Sequence, residues 1–132
     1  MKKELFCLLV VILFSSCLKE PTTGPQTSIG APPADFYLRQ NYPNPFVDTT
    51  TIKYGVPISG GTASTVTIIV YDPLREPVRT LVNNNAHPAG GFATKWDGRN
   101  SRGIQVPSGT YTIEMQGFTP QTVIIRITAI KK

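Results

Sequence analysis

Large apolar residues recur every second position along most of the chain. Ile52, Tyr54 and Val56 alternate with Thr51, Lys53 and Gly55. Val66, Ile68 and Val70 alternate with Thr67, Ile69 and Tyr71. Tyr111, Ile113 and Met115 alternate with Thr110, Thr112 and Glu114, and Val123, Ile125 and Ile127 alternate with Ile124, Arg126 and Thr128. Successive strand side chains point to opposite faces, so this period predicts strands with one face buried. Weaker runs predict further strands near Phe36–Asn41, Val78–Val82 and Gly91–Trp96. No stretch carries a helical stripe.

Turn residues punctuate these runs. Pro43 and Pro45 bracket Asn44, Asp72-Pro73 ends the third run, Pro88-Ala89-Gly90-Gly91 opens the fifth, Asp97-Gly98 closes it, and Pro107-Ser108-Gly109 precedes the sixth. About seven short alternating strands with frequent turns predict an all-β, Ig-like antiparallel β-sandwich. The Cys–Trp–Cys signature of antibody domains is absent, so the pattern implies the architecture alone.

The first residues follow a different logic. Lys2 and Lys3 precede an apolar run, Leu5–Phe14, too short for a membrane span but suited to a secretory signal. Ser15-Ser16-Cys17 then resembles a lipobox, with Phe14 where Leu is usual. The resemblance implies cleavage before Cys17 and its lipidation. Cys7 would leave with the signal, so Cys17 would be the lone thiol, with no internal disulfide. Leu18 after the Cys implies sorting to the outer membrane in that family. Glu20–Ala34, rich in Pro, Gly and Thr, has only Ile29 as a large apolar residue and reads as a coil of ~20 Å typical span. The expected organisation is a signal peptide at 1–16, a lipidated Cys and flexible tether at 17–34, and the sandwich at 35–132.

Composition narrows the function. Charged residues make up 16% of the chain against 40% apolar, with a formal net charge of +5. The basic residues are scattered rather than gathered in a stripe, so nucleic acid is not an expected partner. The expected partners are a membrane, through the N-terminal lipid, and a protein of the cell envelope.

The turns carry a more specific signal. Asn41-Tyr42-Pro43-Asn44-Pro45-Phe46, Thr50-Thr51-Ile52-Lys53-Tyr54, Val70-Tyr71-Asp72, Val78-Arg79-Thr80-Leu81-Val82, Trp96-Asp97-Gly98-Arg99 and Val106-Pro107-Ser108-Gly109-Thr110-Tyr111 stand in this order. These blocks resemble the type IX secretion C-terminal sorting domain and, equally, the Ig-like domain of the flagellar hook-capping protein, over about Phe36–Lys132. The resemblance implies the sandwich fold and bears less on function. Sorting domains follow a large cargo, whereas here a tether precedes the body. Arg75 stands where the family usually has Gly, so a turn requiring positive φ would be strained there.

Candidate chemistry is sparse. His87 lies in the polar stretch Asn83–Pro88 and is expected to be a loop residue. With no second His and no Cys in the body, a His-based triad or a zinc site has too few members. Asp48, Asp72 and Asp97 fall at turns, where Asp bonds nearby backbone amides. Asp97–Gly103 superficially looks like a calcium loop, but Arg99 and Arg102 oppose a cation. Trp96, Tyr111 and Phe92 would suit a sugar platform, yet their alternation places them in the core. No catalytic residue, cofactor or metal is expected.

One feature points to a partner. The last strand is apolar on both faces, with Ile124 and Ile130 opposite Val123, Ile125 and Ile127. A two-sheet sandwich needs one apolar face per strand. Either Ile124, Arg126 and Ile130 meet a protein partner, or the tether or Phe36–Asn41 covers them. The functional expectation is a non-catalytic outer-membrane lipoprotein with a structural or protein-binding module. The alternative is a sorting-type domain that engages type IX export machinery.

Overall fold

A computed structural model describes residues 27–60 and 63–132. The Cys17 site and the signal segment lie outside the described residues. Seven strands form: β1 (Tyr37–Leu38), β2 (Thr50–Val56), β3 (Ser64–Tyr71), β4 (Pro77–His87), β5 (Gly90–Trp96), β6 (Gly109–Thr119) and β7 (Gln121–Lys131). They pair into a three-stranded sheet, β1-β2-β5, and a four-stranded sheet, β4-β3-β6-β7, antiparallel throughout. The expected all-β Ig-like sandwich is thus present.

The alternation seen in the sequence decides what is buried. Ile52, Tyr54 and Val56 of β2, Val66, Ile68 and Val70 of β3, and Ile113 and Met115 of β6 form the interior with Phe46, Phe92 and Trp96. Burying each such side chain stabilises the fold by roughly 1.5–3 kcal/mol. Trp96 packs against Phe46 and Tyr111 at ring distances of 5.3 and 5.2 Å. Its indole N–H donates to the Arg99 carbonyl at 2.9 Å. The Tyr111 hydroxyl donates to the carbonyl of Pro107, four residues upstream, at 2.6 Å. That bond pins the corner where the chain enters β6. These aromatics are core, not a sugar platform.

Three expectations need correction. The first strand covers only Tyr37–Leu38, because beyond it the chain turns inward. The buried Asn41 amide donates to Thr50 Oγ1 at 2.9 Å, and that hydroxyl donates to the Pro43 carbonyl at 2.8 Å. Pro43 and Pro45 have no amide to extend a ladder. Conversely, β4 runs to His87, because Asn83, Asn84 and His87 keep pairing with Thr67, Val66 and Ser64 through bulges. His87 is therefore not a loop residue: it is buried, packed edge-on against Phe92 at 4.5 Å and bonded to Tyr54. Finally, the end of the expected tether is docked. The Ile29 amide donates to the Gly91 carbonyl at 2.7 Å and the Gly91 amide to Gly30 at 3.0 Å, covering the first residues of β5.

Candidate functional site

The site grows from a tight turn. Pro120 sits between Thr119 and Gln121, which pair, and the register then runs without a shift down the β6–β7 hairpin. Glu114 thereby faces Arg126, Gln116 faces Ile124, and Thr110 faces Ile130. On the other side of β6, Glu114 neighbours Ile69 of β3. Ile69, Glu114, Arg126, Ile124 and Ile130 consequently share the outer face of the four-stranded sheet, away from the core.

Glu114 is an uncommon residue for such a face: only 4% of it is exposed. Three side chains lie over it. Arg126 Nε donates to its Oε2 at 2.7 Å, Arg75 Nη2 to the same oxygen at 3.1 Å, and Gln116 Nε2 to Oε1 at 2.9 Å. Burial alone would push the carboxyl up, but the bonds from Gln116, Arg126 and Arg75 together hold it below its ordinary range. A carboxylate buried without such partners would be costly. With them, two guanidinium groups are fixed side by side, each about half exposed.

The β3–β4 turn delivers Arg75. Asp72 Oδ1 accepts the Leu74 and Glu76 amides, both at 2.9 Å, as expected for an Asp at a turn. Arg75 takes φ of 66°, the one non-glycine residue at positive φ among those described. Its guanidinium lies 4.7 Å above the Tyr71 ring on its way to Glu114. Where the family resemblance expects Gly, this chain accepts backbone strain, typically 1–2 kcal/mol, and gains a cation on the sheet face.

The β7 edge is divided into two parts. Over Thr128–Ile130 it is closed by the turn before β2. The Thr128 carbonyl accepts from Gln40 at 2.6 Å and Asn44 at 3.1 Å. The Ile130 amide donates to Asn44 Oδ1 at 2.8 Å, and its carbonyl accepts from Phe46 at 2.9 Å. These bonds show that even-numbered residues of β7 turn their backbone groups outward, so Thr122, Ile124 and Arg126 do the same. No described residue bonds to those outward groups.

Apolar residues gather at this open half. Ile124 is 47% exposed and Phe118, on the same face, 50%. Val123 and Ile58 are exposed beside an open groove of about 660 Å³ that Phe36, Pro57 and Pro120 help to line. Phe36 fills the space over Gly117, where a Cβ would lie 2.6 Å from its ring, and Val123 beyond it is left 38% exposed at the groove. Of the sequence candidates, Ile124 and Arg126 lie together at the open edge, while Ile130, 40% exposed, lies beside the closed one. Within Phe36–Asn41, Tyr37–Leu38 pairs into the opposite sheet, so the segment does not cover the outer face. The sequence shows no signal for the Arg75–Glu114 pair, whereas the equal spacing of Glu114 and Arg126 about Pro120 is one for the pair across the hairpin.

A second groove, of about 670 Å³, lies at the other end of the sandwich between Asp72, Leu74, Val78, Ser101, Val106 and Tyr111. Asp72 is engaged in its own turn there, and Asp97 accepts from the Arg99 amide at 3.1 Å and from Arg79 at 3.0 Å.

Comparison with known proteins agrees with this architecture. A family model of the FlgD Ig-like domain matches residues 48–121. That range ends where β7 begins. No curated protein matches the chain. Dimeric latent PorU from Porphyromonas gingivalis is similar in structure, with a TM-score of 0.58 and 20% identity over 75% of this chain. The matched region is 10% of the PorU chain, and at this identity the likeness is one of fold.

Proposed function

We propose a function that starts from one established point: the chain belongs to the FlgD Ig-like domain family. In our reading it is a non-catalytic module, held at the outer membrane by lipid on Cys17, that binds a protein of the cell envelope through β7. The observation that carries this reading is the open edge over Thr122–Arg126, flanked by exposed Ile124 and Phe118. Sheet edges in monomers are usually blunted or covered, as the Asn44 turn covers the other half of this one. An apolar edge that no described residue covers therefore favours a partner. Capture from native membranes tests the reading: Ile124→Lys should fold normally yet lose the partner held by wild type. If Ile124→Lys keeps the same partner, the reading fails.

A second reading has the domain engaging type IX export machinery. The turn motifs favour it, and the likeness of fold to part of PorU is compatible with it. The mature chain in cells separates the two. Retention of Lys131-Lys132 supports the module, and cleavage ahead of the sandwich supports the sorting domain.

A further inference from the structure

We propose that the open edge of β7 accepts an extended acidic segment of a protein partner, which adds as a fifth strand to the four-stranded sheet. This rests on the module reading and names the chemistry of its partner. The edge offers the amides and carbonyls of Thr122, Ile124 and Arg126, enough to register a short strand. The closed half sets the limit: Asn44 and Phe46 already occupy the positions beside Thr128 and Ile130. The incoming strand therefore ends near Arg126.

Charge selects its composition. The open half of β7 contains Arg126 and no acidic residue, while Lys131 is buried beyond the closed half. Arg126 and Arg75 share the single carboxylate of Glu114, leaving one positive charge over on that face. Arg126 uses Nε for Glu114, so its two terminal nitrogens remain to meet a neighbour across the edge. Directly opposed strand residues of opposite charge attract and like charges repel. The residue across from Arg126 is thus Asp or Glu. The residue across from Ile124, on the same face, is aliphatic. An added antiparallel strand then reads acid, any residue, aliphatic, and the middle side chain turns toward the Val123 side.

Glu114 has a defined part in this arrangement. Held by three side chains, it fixes the Arg126 guanidinium before any partner arrives, which lowers the ordering cost of a charged contact. It also repels a carboxylate placed directly above it, so the favourable position lies beyond β7 rather than over β6. The surface thereby specifies an edge strand and disfavours a flat acidic face laid across the sheet.

Selection of displayed random octapeptides on the intact lipidated chain in detergent tests the proposal. Enriched peptides should carry an acid two residues from an aliphatic residue. Arg126→Glu should weaken them by about tenfold or more and, used as the target, should select Lys or Arg at the same place. Ile124→Pro removes an outward amide without touching the β6 pairing, and should abolish binding. In wild type, the Ile124 and Arg126 amides should exchange quickly with solvent and become protected when the peptide is added. That measurement decides the matter if the proline variant unfolds. Failure to enrich any such peptide, indifference to Arg126→Glu, or amides left unprotected would overturn the proposal. If those results came with loss of the native-membrane partner in Ile124→Lys, the module reading would stand and the acidic strand alone would fall. If acidic peptides bind as described but wild type holds no native-membrane partner, the module reading falls instead.

Discussion

The hydroxyl of Tyr54 lies 3.0 Å from Nε2 of His87, inside the sandwich and joining its two sheets. His87 Nδ1 lies 2.8 Å from the Pro88 carbonyl, which can only accept, so Nδ1 carries the proton and Nε2 accepts from Tyr54. Burial lowers the His87 pKa, only partly opposed by the Pro88 bond. The folded chain therefore resists a proton that the unfolded chain takes up near the ordinary histidine value of about 6.5. Stability from this neutral pair is complete above that value and is lost as pH falls through the lowered folded pKa. Denaturation midpoints from pH 8 to 5 should show the decline, and His87→Gln should flatten it. An equal slope in both would contradict the assignment.

Glu114 acts in a lower window. Its carboxyl is held below the ordinary range, so its contribution is complete above about 4.5 and fades as pH falls through the depressed value. Glu114→Gln should remove this second decline and leave the His87 decline intact. Extending the denaturation series from pH 5 down to about pH 2 checks it.

Trp96 joins Phe46 and Tyr111 and is fully buried. Trp96→Ala should cost about 3–5 kcal/mol, as large core truncations do. Chemical denaturation measures it, and a loss under about 1 kcal/mol would argue that the indole is not a core residue.

Arg75 combines an unfavourable backbone with a favourable contact. Arg75→Gly should relieve the strain at φ 66° but uncover Glu114. With Glu114 already changed to Gln, the same substitution should stabilise by about 1 kcal/mol. A double-mutant cycle separates the contributions. No gain in that background would show that the lost Tyr71 contact and glycine's freedom in the unfolded chain offset the strain.

The proposed anchor has its own test. Mass spectrometry of the protein from membranes should find a mature chain that begins at an acylated Cys17. An unmodified start after Cys17, or retained Met1, would contradict the anchor. One acyl chain binds membranes weakly, so firm anchoring requires more than one.

The sandwich was legible because Ile52–Val56, Val66–Val70 and Tyr111–Met115 alternate cleanly, and alternation reports one buried face. Asn83–Ala86 misled because polar residues signal a loop, whereas a strand at the sheet edge can keep them in solvent while its backbone pairs. His87 reads with them as a loop residue. Its burial depends on Tyr54 and Phe92, more than thirty residues and five residues away in sequence, respectively. The Asn41–Phe46 motif was visible as a family block, but its part in closing β7 needed the register of a strand about 85 residues later. Arg126 and Ile124 were visible as one surplus face. Their division from Ile130 by the Asn44 turn was not, because only the fold brings that turn to the edge.

Site-specific photocrosslinking in intact cells tests the central claim most directly. The chain would carry p-benzoylphenylalanine in place of Ile124 on the open β7 edge and, in a separate strain, in place of Lys53, exposed on the opposite sheet. The account predicts a discrete adduct with an envelope protein from position 124 and none from position 53. No adduct from position 124, or the same adduct from both positions, would contradict it.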